Sequence, residues 1–371
     1  MMRAILCSFV LVMLLSGDAA QSTKRAKVAL YNGGPQHTGV YDTKPLMELK
    51  GLKWKFETEG DVTSPPLVHD GIVYFGDWEG YAYAVDVEGG KEKWRFMAGK
   101  AVPGPPTIYR EHAYFGSREG YFYALDLETG KVKWRFETDG VKLEKDGSVC
   151  FPPLIKDGIA YFTSHDKHLY AVDIVSSELK YKYEAENGMC CSPSMMDETL
   201  FISDWNGNVY AMDIETGQKK WRFKAGKKIY HAPAISDGVA YCCSYDHFAY
   251  AIDAATGKEV WKFEADDKIS ADPAVYDGMV YFNTSNSHLF ALDAKTGKRI
   301  WDVKKDGKVW AKPAISGGVV YFGSGDCHLY ALDAKTGVEK WRFEADDMVC
   351  NPTVYDGMVF FGSGKSLYAL E

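Results

Sequence analysis

The sequence predicts an all-β fold, an eight-bladed β-propeller whose blades each have four strands and about 40 residues. The first observation is a marker tryptophan that recurs every 40 residues, with Tyr181 in its place once: Trp54, Trp94, Trp134, Trp221, Trp261, Trp301 and Trp341. The second is that each repeat is filled by β-rich runs and tight turns, which leaves no room for a helix. The third is that the last repeat stops before its fourth strand, and an extra strand precedes the first.

One step of the repeat is longer than the others. Trp134 and Tyr181 are 47 residues apart, so an insertion of seven lies between them. We place it at Leu143 to Gly147, where the sequence is polar and departs from the pattern of the other repeats.

The amino terminus has the layout of a cleaved secretory signal. Arg3 precedes an apolar run from Ala4 to Leu15, and small residues follow up to Ala20. We therefore predict a signal peptide at 1–20, a leader at 21–46 that packs on the propeller rim, and the propeller at 47–371. This layout predicts an exported protein, periplasmic or extracellular, that does not span a membrane.

Within the first repeat the predicted strands are Pro66 to His69, Ile72 to Phe75, Tyr81 to Asp86 and Lys93 to Phe96. Asp70-Gly71 gives the first pair a two-residue hairpin turn, since this dipeptide tolerates the positive φ that such turns need. The last repeat begins near Pro352 and lacks its outer strand, and the run ending at Trp54 supplies it. Pairing of the two chain ends in one blade leaves no open sheet edge at the seam.

Composition excludes some functions. The chain has 43 basic and 51 acidic residues and a net charge of -8, without the basic stripe of a nucleic-acid binder. Seven cysteines follow the signal, an odd number, and their spacing matches no metal-binding motif. We expect no nucleic-acid partner and no metal site.

The repeat as written in Gly318 to Trp341, with V-Y-F-G-S, L-Y-A-L-D-A-K-T-G and the marker tryptophan, resembles a known family. It is similar to the PQQ-like β-propeller repeats of quinoprotein dehydrogenases and of the propeller lipoprotein in the outer-membrane β-barrel assembly machinery. The resemblance covers Leu49 to Glu371. It implies that the marker residues dock between neighbouring blades and serve the structure.

Functional residues are expected where one repeat departs from the rest. Three tryptophans lie off the marker positions, and two tyrosines share their offsets: Trp78, Trp205, Trp310, Tyr230 and Tyr245. Propeller connectivity places all five at one mouth of the ring, where they are our candidate ligand-binding residues. The alternative is that these rings only fill the shallow funnel of the mouth.

The junction of the third and fourth repeats deviates most. It combines the insertion, Ser176-Ser177 in place of Thr-Gly, Tyr181 at the marker position, and three cysteines, Cys150, Cys190 and Cys191. Such deviations are found at functional sites and in decaying repeats alike. The resemblance to quinoprotein alcohol dehydrogenases, which carry adjacent cysteines in a ring disulfide over the cofactor, makes Cys190-Cys191 a possible redox pair.

Two hypotheses of function follow. The favoured one is an exported, non-catalytic scaffold that binds a protein, peptide or other ligand at its aromatic mouth, with no cofactor. The alternative, implied by the resemblance, is a small quinoprotein oxidoreductase that uses PQQ and calcium to oxidise an alcohol or sugar. No catalytic residue can be assigned from the sequence, and the compact blades, without large inserted loops, favour the scaffold.

Overall fold

The protein is described here by a computed structural model that covers residues 28–231, 233–269, 271–308 and 311–371. The predicted signal peptide and Trp310 lie outside these residues. Eight antiparallel sheets succeed one another along the chain and form the blades of a ring. The predicted eight-bladed, all-β propeller is therefore confirmed.

Two strands and a turn precede the first complete blade: β1 (Val28–Ala29), a 3-10 turn (Tyr31–Gly33) and β2 (Leu52–Glu57). The first blade contains β3 (Leu67–His69), β4 (Ile72–Gly76), β5 (Tyr81–Asp86) and β6 (Glu92–Met97). The second contains β7 (Thr107–Tyr109), β8 (His112–Gly116), β9 (Tyr121–Asp126) and β10 (Val132–Glu137), followed by a helical turn, α1 (Asp139–Lys142). The third contains β11 (Leu154–Lys156), β12 (Ile159–Thr163), β13 (His168–Asp173) and β14 (Leu179–Glu184).

The remaining blades repeat this pattern. The fourth contains β15 (Ser194–Met196), β16 (Thr199–Ser203), β17 (Asn208–Asp213) and β18 (Lys219–Lys224). The fifth contains β19 (Ala234–Ser236), β20 (Val239–Cys243), β21 (Phe248–Asp253) and β22 (Glu259–Glu264). The sixth contains β23 (Ala274–Tyr276), β24 (Met279–Asn283), β25 (His288–Asp293) and β26 (Arg299–Lys304). The seventh contains β27 (Ala314–Ser316), β28 (Val319–Gly323), β29 (His328–Asp333) and β30 (Glu339–Glu344), and the eighth β31 (Thr353–Tyr355), β32 (Met358–Ser363) and β33 (Ser366–Leu370).

Each blade runs from a short strand at the centre of the ring to a long strand at its outside, as the turns dictate. Asp70 and Gly71, between β3 and β4, both have positive φ, 45° and 75°. Positive φ at both central residues is what a two-residue hairpin requires. The prediction from the Asp-Gly pair is confirmed.

The ring closes as predicted. β2 pairs with β33 in the eighth blade, with Trp54 opposite Ala369. The first and last strands of the propeller thus belong to one sheet, and β3 contacts β31 across the seam.

The marker residues dock between blades. The indole Nε1 of Trp54 donates to the carbonyl of Val87 at 2.7 Å, and that of Trp261 to the carbonyl of Ala294 at 2.9 Å. At the position where tyrosine replaces tryptophan, the hydroxyl of Tyr181 donates to the carbonyl of Ile214 at 2.7 Å. The structural role predicted for these residues is confirmed, and it extends to Tyr181.

The hydrophobic core follows the same symmetry. Eight separate clusters of buried apolar side chains each join two neighbouring blades. One cluster, with Phe360 of β32 and Val73 of β4, joins the eighth blade to the first across the seam. Each blade therefore depends on both neighbours for burial, as in other repeat folds.

Most of the leader lies at the centre of the ring and not on the rim as predicted; only its last residues reach the outside, where the Leu46 carbonyl accepts a hydrogen bond from Trp341. The carbonyls of Pro35, Gln36, Thr38 and Gly39 accept hydrogen bonds of 2.7–2.8 Å from the inner strands of the fourth to seventh blades. Inner strands expose unpaired backbone groups toward the ring axis, and the leader satisfies them. It therefore crosses the centre of the ring and places His37 there, buried.

Candidate functional site

A cavity of about 450 Å3 lies on the ring axis. All eight blades contribute to its wall through the loops that enter their inner strands, at Thr63, Pro103, Cys150, Cys190, Tyr230, Asp272, Lys312 and Asn351. The loops between the second and third strands add Trp78, Arg118, His165, Trp205 and Tyr245. The four described members of the predicted aromatic set, Trp78, Trp205, Tyr230 and Tyr245, thus line one cavity.

Three of these rings form a continuous aromatic wall across the fourth and fifth blades. The ring centroids of Trp205 and Tyr230 are 6.2 Å apart, and those of Tyr230 and Tyr245 are 4.9 Å apart. Two lysines border this wall: Lys228 Nζ lies 5.9 Å from the Trp205 ring and Lys268 Nζ lies 5.2 Å from the Tyr245 ring. These distances are typical of cation–π contacts.

Trp78 lies three blades away around the ring. Its indole N–H donates to the hydroxyl of Thr63, and the guanidinium of Arg118 lies 5.1 Å from its ring. The ring remains 44% exposed. Trp78 and Arg118 together present a flat apolar face beside a permanent positive charge.

Between these two aromatic regions, Cys150, His165 and Cys190 form a compact cluster. The Cys150 Sγ lies 3.3 Å from His165 Nε2, and one side-chain atom of each residue lies within 4.8 Å of the other two. On the other side of the imidazole, Nδ1 lies 3.0 Å from a carboxylate oxygen of Asp146. The imidazole also packs edge-on against Trp205, at 4.6 Å between centroids.

Contacts within the cluster shift the pKa values of its three side chains. Hydrogen bonds from Cys190 and then from His165 lower the pKa of the Cys150 thiol, because both stabilise its thiolate. The Cys190 pKa rises, because its thiol donates to Cys150 and is buried. Burial opposes protonation of His165, but its hydrogen bonds to Cys150 and Asp146 outweigh burial and raise its pKa.

The neighbouring cysteine faces the other way. The Sγ of Cys191 lies 3.5 Å from the backbone nitrogen of Ser203, in the core between the third and fourth blades. Both Cys190 and Cys191 are free thiols in the structure. Their side chains occupy different environments, and the redox pair remains a prediction.

The floor of the cavity is formed by largely buried titratable side chains. His231 Nδ1 lies 3.1 Å from a carboxylate oxygen of Asp272, and Lys312 is 2% exposed. Burial lowers the pKa of Lys312 to about 7 although Asp272 opposes the shift, and burial lowers that of His37 to about 4. Burial disfavours the charged form of both bases.

Sequence reasoning missed His165, Arg118, Asp272 and Lys312, although the repeat contains a signal for them. Trp78, Arg118, Trp205 and Tyr245 all lie 24 residues after a marker, and His165 lies 31 after Trp134, which includes the seven inserted residues. Asp272 and Lys312 lie 11 after their markers, where Pro65 lies in the first blade. Comparing all eight residues at each offset, rather than the aromatic ones alone, identifies the whole wall.

Comparison with known proteins defines the class. The model of a protein family described as outer membrane protein assembly factor BamB matches the chain at residues 79–195, 186–261, 205–311 and 300–371. The chain belongs to this family of PQQ-like propellers. No curated protein shows a significant sequence match.

Solved structures share the fold at low identity. BamB from Moraxella catarrhalis superposes with a TM-score of 0.73 at 18% identity, covering 86% of this chain and 99% of its own. A quinohemoprotein alcohol dehydrogenase from Comamonas testosteroni gives 0.77 at 15%, covering 91% of this chain and 79% of its own. A europium-containing methanol dehydrogenase gives 0.80 at 13%, covering 92% and 97%. None of the described helices is long and apolar enough to cross a bilayer.

Proposed function

We propose that this protein is a non-catalytic binding propeller that holds a segment of a protein partner in the axial cavity. The segment presents an aromatic side chain together with a carboxylate. The observation that carries the proposal is the composition of the cavity, whose walls are aromatic and whose charged groups are mostly cationic.

The aromatic wall suits an aromatic guest. A volume of about 450 Å3 falls within the range of binding pockets, and it can hold one or two side chains. The rings of Trp205, Tyr230 and Tyr245 already contact one another, so they need little reordering when a guest stacks on them. Aromatic pairs contribute about 0.5–1.5 kcal/mol beyond the area they bury.

The charges suit an anionic group. Arg118 lines the cavity, and Lys228 and Lys268 border it. Within the described wall the indole Nε1 of Trp205 is buried and makes no hydrogen bond, so it can donate to a bound acceptor. A carboxylate in this position would gain charge-assisted hydrogen bonds, which are about twice as strong as neutral ones.

The family supports a protein as the partner. Its description names an outer membrane protein assembly factor, and assembly requires contact with other proteins. We extend to this chain only the expectation of a protein partner in the cell envelope. Export through the segment at 1–20 belongs to the same proposal, and amino-terminal sequencing of the secreted chain should start near Gln21.

A quinoprotein oxidoreductase is the second candidate, supported by the fold it shares with two dehydrogenases. Calcium takes six to eight oxygen ligands. Among the described residues of the cavity wall the one carboxylate is Asp272, and one of its oxygens lies 3.1 Å from His231 Nδ1. This donor set does not fit calcium, and we derive no oxidation step from it. Titration of tryptophan fluorescence with PQQ should show no calcium-dependent quenching.

The test uses short synthetic peptides of defined composition. We expect peptides with an aromatic residue beside a free carboxyl terminus to bind the purified chain, measured by fluorescence anisotropy. Amidation of the terminus should weaken binding about tenfold or more, since a hydrogen bond to a charged group contributes about 1.5–3 kcal/mol. Trp78→Ala and Arg118→Ala should weaken it similarly.

Lys365→Ala is the matched control. Lys365 occupies the same repeat offset as Arg118, but it is exposed and does not line the cavity. It should bind peptides as the wild type does. The proposal is wrong if no peptide of this class binds, or if Trp78→Ala and Arg118→Ala bind as tightly as Lys365→Ala.

A further inference from the structure

The cluster of Cys150, His165 and Cys190 has the chemistry of a metal site. We considered groups of three or more cysteine, histidine, aspartate or glutamate side chains. Among the residues that the structure describes, these three form the one such group whose ligand atoms are close enough to share an ion. Two thiolates and an imidazole are soft to intermediate ligands, which favour zinc over calcium or magnesium. The blade fold does not require this composition, since the first blade carries Thr63 and Trp78 at the positions of Cys150 and His165.

The distances agree with tetrahedral coordination. Zinc binds cysteine sulfur at about 2.3 Å and histidine nitrogen at about 2.0–2.1 Å, so tetrahedral ligands of these two types lie about 3.5 Å apart. The Cys150 Sγ and His165 Nε2 are separated by 3.3 Å. Small rotations of the side chains, all within 4.8 Å of one another, are enough to close the site.

The surroundings of His165 also match a metal ligand. A metal-bound histidine almost always donates its second ring N–H to a carboxylate or carbonyl, which fixes the ring. Here Asp146 accepts that hydrogen bond at 3.0 Å and is itself bound by the hydroxyl of Ser148. Asp146 lies in the insertion of the third repeat. The insertion therefore supplies the group that orients His165.

We propose that Cys150, His165 and Cys190 bind one zinc ion in the wall of the axial cavity, with Asp146 as a positioning residue. All three ligands line the cavity, so the fourth coordination position faces it and can accept a donor atom from a bound ligand. Each thiol that coordinates the ion releases its proton to solvent. The site adds to the proposed function and does not depend on which segment the cavity holds.

The test is a metal titration of the reduced, chelator-treated full chain. We expect one zinc ion per chain against a chromophoric competitor, and Co2+ in its place should give thiolate charge-transfer bands and the visible bands of tetrahedral cobalt. Cys150→Ser, Cys190→Ser and His165→Ala should each abolish tight binding. Asp146→Asn should weaken it about 10–100-fold, with an unchanged melting temperature in the presence of chelator.

Cys350 provides the matched control. It lies nine residues after Trp341, the same repeat offset at which Cys190 follows Tyr181, but it lies in the eighth blade. Cys350→Ser and Cys191→Ser should bind zinc as the wild type does. The proposal is overturned if the reduced chain binds no zinc, if Cys350→Ser weakens binding as much as Cys190→Ser, or if the exported protein contains a Cys150–Cys190 disulfide.

The same measurements separate this inference from the proposed function. Trp78→Ala alters the first blade, two blades away from Cys150 and His165, and should leave the zinc content unchanged. A wild-type chain that binds one zinc ion but none of these peptides would reject the binding function alone. Peptide binding without any zinc would reject the metal site alone.

Discussion

Two sets of eight equivalent positions encircle this propeller, one at the outside and one at the mouth. The residue type is nearly constant in the first set and varies in the second. On the outside, seven tryptophans and Tyr181 each donate a hydrogen bond to a backbone carbonyl, which belongs to the following repeat in seven cases and to Leu46 of the leader for Trp341. At the mouth, 24 residues after each marker plus the insertion, the chain has Trp78, Arg118, His165, Trp205, Tyr245, Ser285, Gly325 and Lys365. The outer position makes the same kind of hydrogen bond in each blade, whereas the residues at the mouth position differ in type and in the neighbours they contact. Positions with the same residue in nearly every blade therefore serve the structure, whereas positions whose residue varies form the surface that can acquire a specific function.

The largest expected effect separates the two sets. Trp261→Ala should lower the free energy of unfolding by about 3–5 kcal/mol, because a nearly buried indole and its hydrogen bond to Ala294 are lost. Trp78→Ala should cost no more than about 1 kcal/mol, since this ring is half exposed. Denaturant unfolding measures both, and equal losses would contradict the distinction.

The floor of the mouth should reduce stability at neutral pH. Lys312 has a pKa of about 7 in the folded chain, against 10.5 when unfolded, so the unfolded chain binds more protons between these values. Stability should therefore rise as the pH increases from about 7 to 9, by at most about 1.4 kcal/mol per pH unit. Asp272, His231 and His37 are the charged and titratable groups around it. Lys312→Gln should flatten this rise, and an unchanged slope would rule out the buried lysine as its cause.

The glycine that packs against six of the eight marker rings gives a smaller, sharper test. Gly297 has a φ of +69°, and an added Cβ would lie 2.7 Å from the Trp261 ring. Gly278 has a similar φ, +74°, but open space around it. Both alanine variants incur about 1–2 kcal/mol of backbone strain. Only Gly297→Ala also disturbs the indole, so it should unfold at least about 1 kcal/mol more easily, and equal costs would show that the glycine does not serve the tryptophan.

The smallest effect concerns the one exception in the outer ring. Tyr181→Phe removes the hydroxyl that donates to Ile214 and should cost about 1 kcal/mol. Denaturant unfolding of this variant and of the wild type measures the difference in free energy. No change would mean that tyrosine fills the marker position by shape alone.

The fold could be predicted almost completely from the sequence, because the residues that a blade requires recur in one repeat after another. The marker residues, the Asp-Gly turns and the closing strand all follow from local chemistry that recurs at fixed spacing. The path of the leader could not be predicted, because residues 28–46 share no repeat and their hydrogen bonds to distant inner strands arise only in the folded ring.

The candidate site was predictable only in part. The repeat offsets placed Trp78, Trp205, Tyr230 and Tyr245 at one mouth, where the structure has them. They did not reveal that Cys150, His165 and Cys190 meet, because metal motifs are recognised by short spacing along the chain. Here the ligands come from three loops of two adjacent blades, and only the ring brings them together.

The central claim is that the mouth carries binding while the outer ring carries stability, and Tyr245→Ala tests it most directly. Tyr245 contacts Tyr230 and lines the cavity, but it lies apart from the zinc ligands and the marker ring. The measurement is the affinity for a peptide with an aromatic residue and a free carboxyl terminus, taken together with the melting temperature. The account predicts a clear loss of affinity with melting close to the wild type. Unchanged affinity with a large loss of stability would contradict it.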